Sequence, residues 1–142
     1  MAMTMRLNIV SAEKEIFSSL AEMVVVPGAQ GDMGIMPQHS QLLSTLKPGE
    51  VIITEQGGEK ESIYVSGGIV EVQPHVVTIL SDTALRASDI DEAAAQNAKE
   101  RAEDILGDQK SKIDFAKAEA QLAEAVVQLR MIEKMRKQQS GH

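Results

Sequence analysis

The chain has 142 residues, with 14 Lys plus Arg against 21 Asp plus Glu, a formal net charge of −7, and neither Cys nor Trp. Without thiols there is no disulfide framework, no cysteine zinc site and no thiol nucleophile, and the acidic balance argues against a general nucleic-acid binder, which needs a basic footprint. The longest apolar runs, such as Met23 to Pro27, fall far short of the roughly 20 residues that cross a bilayer, and Met1 to Val10 lacks the apolar stretch of a signal peptide, so the simple compartment is reducing, cytosolic or matrix-like, with contact to a membrane complex left to a protein partner.

The chain reads as two halves. Residues 1–88 hold all four Pro, most of the Gly and the β-branched clusters, and carry a net −5; residues 89–142 have no Pro, are rich in Ala, Glu, Lys, Gln and Arg, and carry −2. That shift in propensity marks a change from strand to helix. In chain order, Leu7 to Val10 and Glu15 to Ser18 pair around Ala12-Glu13, and Leu20 to Val26 ends at a Pro27-Gly28 turn. Gly34 to Met36 and Leu42 to Thr45 are weaker strands. Pro48-Gly49 precedes Val51 to Glu55, and Gln56-Gly57-Gly58-Glu59 forms a hairpin loop into Glu61 to Val65. Ser66-Gly67-Gly68 breaks the run as a bulge or close strand contact, and Pro74-His75 separates Ile69 to Gln73 from Val76 to Leu80. Eight to ten short strands without a long helix predict a flattened sandwich or barrel. Its expected core is Leu7, Ile9, Val24, Val26, Ile53, Val65, Val70, Val72, Val77 and Ile79, with Glu71 facing water.

The second half predicts an antiparallel two-helix hairpin, so the fold class is α+β, with a β domain over 1–88 and helices over 89–142. Ser88 or Asp89 caps the first helix, with acids in its first turn, and Gly107 stops it after Leu106. Asp108-Gln109-Lys110 is the turn, and the second helix runs from near Ser111 to about Gln138. Its apolar positions Phe115, Ala118, Leu122, Ala125, Leu129 and Ile132 make a heptad seam. The facing stripe is thin: Ile90, Ala94, Ala98, Ala102 and Ile105 or Leu106. At roughly 25 cal/mol per Å² of apolar area, an alanine seam stabilises far less than a leucine seam. The hairpin is therefore expected to draw stability from the β domain or a partner, and its docking to be reversible.

Chemistry is sparse. His39, His75 and His142 form no ligand pair at helical spacing, so no metal site is expected; His39 reads as a loop hydrogen bonder and His75 as an exposed turn residue. Ser40 and Ser44 lie near His39, but no base, orienting acid and oxyanion hole surround them. The stretch Pro27-Gly28-Ala29-Gln30-Gly31-Asp32-Met33-Gly34 lacks the Gly-Lys-Ser/Thr ending of a phosphate loop and reads as a long loop with glycines at awkward backbone angles. The end of the second helix is basic: Arg130, Lys134, Arg136 and Lys137 against Glu133. Dipole compensation and solubility explain it simply; docking on an acidic protein surface is the sharper reading. On the residues alone, a free-standing adaptor with a β sandwich and a helical arm stands as one reading.

Three motifs in order carry a family resemblance over nearly the whole chain. They are Pro27-Gly28-Ala29-Gln30-Gly31-Asp32-Met33-Gly34-Ile35-Met36-Pro37-Gln38-His39 continuing through Leu42-Leu43 to Pro48-Gly49; Tyr64-Val65-Ser66-Gly67-Gly68-Ile69-Val70-Glu71-Val72 running into Val76 to Asp82; and Ala84 to Ala87 followed by Asp89-Ile90-Asp91-Glu92-Ala93. The chain resembles the epsilon subunits of F-type ATP synthases. It departs from the family's usual Gly-His-Ala-Pro-Leu at Gln38-His39-Ser40-Gln41-Leu42. The resemblance implies a non-catalytic stalk subunit without a cofactor, peripheral on the cytoplasmic side of a bacterial inner membrane. It implies a β domain that binds the gamma subunit and the c-ring, coupling ion flow to ATP synthesis, and helices that extend into the alpha/beta head to hinder ATP hydrolysis. Gly31, Met33, Gly34, Met36, His39 and Leu42 are the expected partner contacts, and Arg130, Lys134, Arg136 and Lys137 the regulatory tail. Some bacterial members bind ATP through Ile/Leu-Asp-x-x-Arg-Ala plus further arginines on the second helix. Here Ile90, Asp91 and Ala95 match, but Ala94 replaces the Arg, and Glu124 and Gln128 stand at the second-helix positions. The phosphates lose their cationic donors, so weak or no ATP binding is expected.

Overall fold

The structure is a computed structural model that describes residues 3–108 and 112–140. The chain divides into two compact units, Met1–Arg86 and Ala87–His142. The first contains seven strands: β1 (Met5–Val10), β2 (Glu15–Gly28), β3 (Gly31–Ile35), β4 (Leu42–Glu55), β5 (Lys60–Val72), β6 (Val76–Leu80) and β7 (Ala84–Arg86). The second contains a 3₁₀ turn at Ala87–Asp89 and the helices α1 (Glu92–Asp108) and α2 (Lys112–Ser140).

In the β unit, the strands hydrogen-bond in the order β1-β6-β5-β4-β2-β3, and β1 also pairs with β2, which closes the sheet on itself. β3 hangs on β2 and β7 on β5. The result is the flattened barrel expected, and its closure removes most of the unpaired edges that an open sheet presents. All ten expected core residues are fully buried, and Glu71 is exposed. Met5, Phe17, Ala21, Ile35, Leu46, Val51, Ile63 and Ala84 join the same core.

The strand count differs from the expectation of eight to ten because three pairs of short runs are single long strands. Side chains alternate between faces with period two, so a run whose inward residues change parity looks like two strands in sequence. In β5, Ile63 and Val65 face the core, then Val70 and Val72 do. The parity changes at Gly67 and Gly68, whose φ values of 107° and 126° suit glycine. A Cβ on Gly68 would stand 2.0 Å from the Leu80 carbonyl oxygen. β4 changes parity directly opposite, between Leu46 and Val51, with Pro48 paired to Ser66. β2 does so at the register shift between Ala21 and Met23, a bulge that re-aims Val24 and Val26 inward. The glycine-rich stretch is not a long loop. Gly28 pairs with Gly31 across the two-residue turn Ala29-Gln30, and β3 returns along β2.

Arg86 closes the unit. Its guanidinium donates to Glu61 Oε1 and to the Ile16 carbonyl, each at 2.9 Å, and lies 6.0 Å over the Phe17 ring. The three-residue β7 has no alternation to betray it in sequence.

In the helical unit, α1 starts at Glu92, later than expected. Asp91, rather than Ser88 or Asp89, is its cap: Asp91 Oδ1 accepts the Ala94 N–H at 3.0 Å. Ala87–Asp89 instead forms the 3₁₀ turn. Gly107 does not stop the helix, which continues to Asp108. The expected turn at Asp108-Gln109-Lys110 lies largely outside the described residues. The buried positions are Ala95 and Ala102 on α1, and Ala118, Ala125, Met131 and Ile132 on α2; apart from Met131, each set stands at seven-residue spacing. Leu122, Leu129, Ala98 and Leu106 are half-buried. Two seam expectations fail: Phe115 is 38% exposed, and Ala94 faces water while Ala95 takes its place. The rest of the first-helix stripe stands as expected, with Ile90 and Ala102 buried and Ala98 and Leu106 half-buried.

Candidate functional site

The expected partner contacts divide into supports and exposed positions. Met33 and Leu42 are half-buried and pack against the barrel core. Gly31, Gly34 and Met36 are exposed, and His39 is half-buried. β3 presents Gly31 to Gly34 along β2, paired with Gly28 to Val25. The loop that follows is anchored to the β5–β6 turn: the Gln38 N–H donates to the Pro74 carbonyl at 2.9 Å, and Gln38 Nε2 lies 3.4 Å from His75 Nδ1. Gln38 has φ 69°, the only positive value at a non-glycine residue among those described. That left-handed backbone costs about 1–2 kcal/mol for a residue with a Cβ, and the two contacts to the turn hold it. His39 Nδ1 lies 2.7 Å from the Ser40 carbonyl oxygen, in the loop hydrogen-bonding role expected. Leu42 pairs with Val72 and Leu43 with Glu71, and these residues line a shallow groove of about 380 Å³ with Gln41 and Gln73.

Sequence reasoning missed an apolar outer face beside this loop. Leu43 is 69% exposed, Leu80 51% and Ile69 43%. Ile69 pairs with Leu80, and its other neighbour is Thr45, two residues from Leu43. A second groove of about 340 Å³ runs between Val10, Ala12, Gly68, Ile69 and Leu80. A signal for this face exists in the sequence. Each residue belongs to an apolar pair, Leu42-Leu43, Ile69-Val70 and Ile79-Leu80, and in a strand two consecutive apolar side chains cannot both face the core. An exposed apolar cluster of this sort marks a contact surface.

In the helical unit, the residues of the degenerate nucleotide motif have structural roles. Ile90 is buried, Asp91 caps α1, Ala95 lies in the seam, and Ala94 is exposed. The four tail cations separate. Arg130, Lys134 and Lys137 stand at i, i+4 and i+7 and line one exposed face of α2 with Glu133 and Gln138. Arg136 points elsewhere: both of its terminal nitrogens donate to the Glu92 carboxylate at the start of α1. Lys137 pairs with Glu133 at 3.5 Å.

No group of three or more His, Cys, Asp or Glu poised to hold a metal occurs among the described residues, and no described helix is long and apolar enough to cross a membrane.

Comparison with known proteins agrees with this division. A family model for "ATP synthase, Delta/Epsilon chain, beta-sandwich domain" matches residues 4–87, and one for the "long alpha-helix domain" of the same chain matches residues 88–133. The ATP synthase epsilon chain 1 of Methylococcus capsulatus is 61% identical over 137 residues, covering 96% of this chain and 98% of that one. The ATP synthase epsilon chain of Nitrosococcus oceani is 56% identical over the same coverage. Among solved structures, a chain of the Euglena gracilis mitochondrial ATP synthase, resolved with OSCP, F1 and c-ring, shares the fold at a TM-score of 0.77 and 22% identity, over 86% of this chain and 77% of that chain. A chain of the Tetrahymena thermophila mitochondrial ATP synthase central stalk and c-ring gives 0.60 at 14% identity, over 92% and 98%. The chain belongs to the delta/epsilon family of ATP synthase, as an epsilon subunit of the F-type enzyme.

Proposed function

We propose that the chain is a non-catalytic rotor subunit of the central stalk, working on the cytoplasmic side of a bacterial inner membrane. Its β unit binds the gamma subunit and the c-ring and helps couple ion translocation to ATP synthesis. Its two helices hinder ATP hydrolysis when they leave the folded hairpin and reach the alpha/beta head. The observation that carries this reading is membership of the epsilon family across both units at once, matched over residues 4–87 and 88–133.

The surfaces support a division of labour. The apolar face of Leu43, Ile69 and Leu80 suits a long-lived protein contact such as gamma, because apolar area drives association. The segment from β3 to the start of β4, with Gly31, Met33, Gly34, Met36, His39 and Leu42, is the proposed ring-facing contact, braced by the Gln38 anchors to the Pro74-His75 turn. Arg130, Lys134, Arg136 and Lys137 are the proposed regulatory tail, complementary to an acidic surface on the head. Nucleotide plays little part, since Asp91 is engaged as a helix cap and Ala94 supplies no cation.

A pull-down with gamma tests the central statement. The wild-type chain is expected to co-purify with gamma, and Leu43→Asp with Ile69→Asp to lose it; a monomer that ignores gamma supports a free-standing adaptor instead. Deleting residues 87–142 is expected to raise the ATPase activity of the assembled complex several-fold. An unchanged rate would leave coupling standing and remove inhibition. Addition of millimolar ATP is expected to leave the hairpin amide shifts in place, and micromolar saturation would reinstate a nucleotide site.

A further inference from the structure

The tail cations were expected to act as a set, but only three of them share an exposed face of α2. Arg136 is turned across the hairpin to Glu92, with its Nη1 at 3.0 Å from Glu92 Oε1 and its Nη2 on the other carboxylate oxygen. Two parallel N–H donors on one carboxylate make the planar, bidentate geometry in which an arginine pair is strongest. The position matters as much as the geometry. Glu92 is the first residue of α1, and Arg136 lies in the last turns of α2. The chain joins the helices only at the opposite end, between Asp108 and Lys112. At the free end, connectivity does nothing to keep the helices together; the covered groups there are Ile90, Met131 and Ile132, and the rest of the seam is alanine.

We propose that the Glu92–Arg136 pair is an electrostatic latch on the free end of the hairpin, which sets how often the hairpin opens and withholds Arg136 from outside partners while it is shut. The proposal rests on the reading that the hairpin opens in function. Opening breaks the bidentate pair and releases Arg136 from Glu92 as a fourth cation in the last turns of α2, beside the face of Arg130, Lys134 and Lys137. An acidic protein surface then competes with Glu92 for the same guanidinium. Partner binding and hairpin opening are thereby linked: whatever stabilises free Arg136 favours the open state. Both side chains retain contact with water, 62% and 47% exposed, so the latch is weak and screened by salt. A weak latch suits a device that has to be released.

The experiment is a double-mutant cycle on the full-length isolated chain, read by amide hydrogen exchange of α1 and the end of α2, with the β-unit amides as internal reference. Glu92→Gln and Arg136→Gln are each expected to raise hairpin exchange by about two- to fivefold. The double variant should show no more than either single change, and the effect should shrink in 1 M salt. A silent Arg136→Gln beside an active Glu92→Gln would mean that Glu92 acts only on the α1 dipole, which overturns the proposal. Multiplicative effects in the double variant overturn it as well. Because exchange is read without gamma or the head, a failed pull-down or an unchanged ATPase rate breaks the proposed function without touching this result, and the reverse also holds.

Discussion

In the β unit the side chains taken from water are large: Met5, Leu7, Ile9, Ile35, Ile53, Ile63, Tyr64 and Ile79 are all essentially inaccessible. In the helical unit the fully covered positions are mostly alanines, at 95, 102, 118 and 125, with larger groups gathered toward the free end at Ile90, Met131 and Ile132. Since stabilisation scales with apolar area at roughly 25 cal/mol per Å², the barrel holds itself together, whereas the hairpin is held by close approach, caps and ion pairs. The difference teaches where change is possible. A closed sheet has ladder bonds on every core strand and no easy way to open partly; two helices on a shallow seam can separate without breaking either helix.

The predictions test that contrast, and the largest effect belongs to the barrel kink. Gly68→Ala places a Cβ 2.0 Å from the Leu80 carbonyl oxygen at φ 126°, and is expected to destabilise the β unit by about 3–5 kcal/mol, read from denaturant unfolding followed by β-sheet circular dichroism. Next comes Ile53→Ala, which empties a fully buried site and should cost about 2–4 kcal/mol by the same assay. In the hairpin, Ala102→Leu forces a large side chain into a closed seam. We expect a loss of about 1–3 kcal/mol confined to helical amides, with barrel exchange unchanged. If the barrel amides respond equally, the two units are one cooperative body and the comparison breaks. The smallest effect is a gain: Gln38→Gly relieves left-handed strain and is expected to stabilise the β unit by about 0.5–1 kcal/mol, measured as a raised midpoint. A loss there would show that the contacts of Gln38 to the Pro74-His75 turn outweigh the strain.

Much of the barrel was legible because its strands alternate. Val24 with Val26, Val70 with Val72 and Val77 with Ile79 announce an inward face by spacing alone, and all are buried. The continuity of β2, β4 and β5 was not legible, because a parity change at a bulge or glycine pair has the same local signature as a strand end. The exposed face of Leu43, Ile69 and Leu80 was hidden for a related reason. Apolar dipeptides mark that one residue points outward, but which strands lie side by side, and hence whether those residues form one patch, depends on pairing between distant segments. In the hairpin, the seven-residue period at Ala118, Ala125 and Ile132 was readable, while the burial of Ala95 in place of Ala94 was not, since adjacent alanines are alike in residue type and only the facing helix selects between them. The four tail cations were visible as a charge cluster. Their division into a face of three and an arginine bound to Glu92 required the opposing helix.

The sequence by itself determined the class of the protein: where β propensity gives way to helix propensity, which side chains fill the barrel, and how thin the seam between the helices is. These follow from residue type and local periodicity, which act over a few positions. Only the tertiary structure decided how long the strands run, which exposed apolar side chains meet, which acid caps α1, and that Arg136 is held by a carboxylate 44 positions earlier in the chain. Each of those depends on geometry between segments far apart in sequence, where small differences in register and helix rotation select the contact and residue type alone does not.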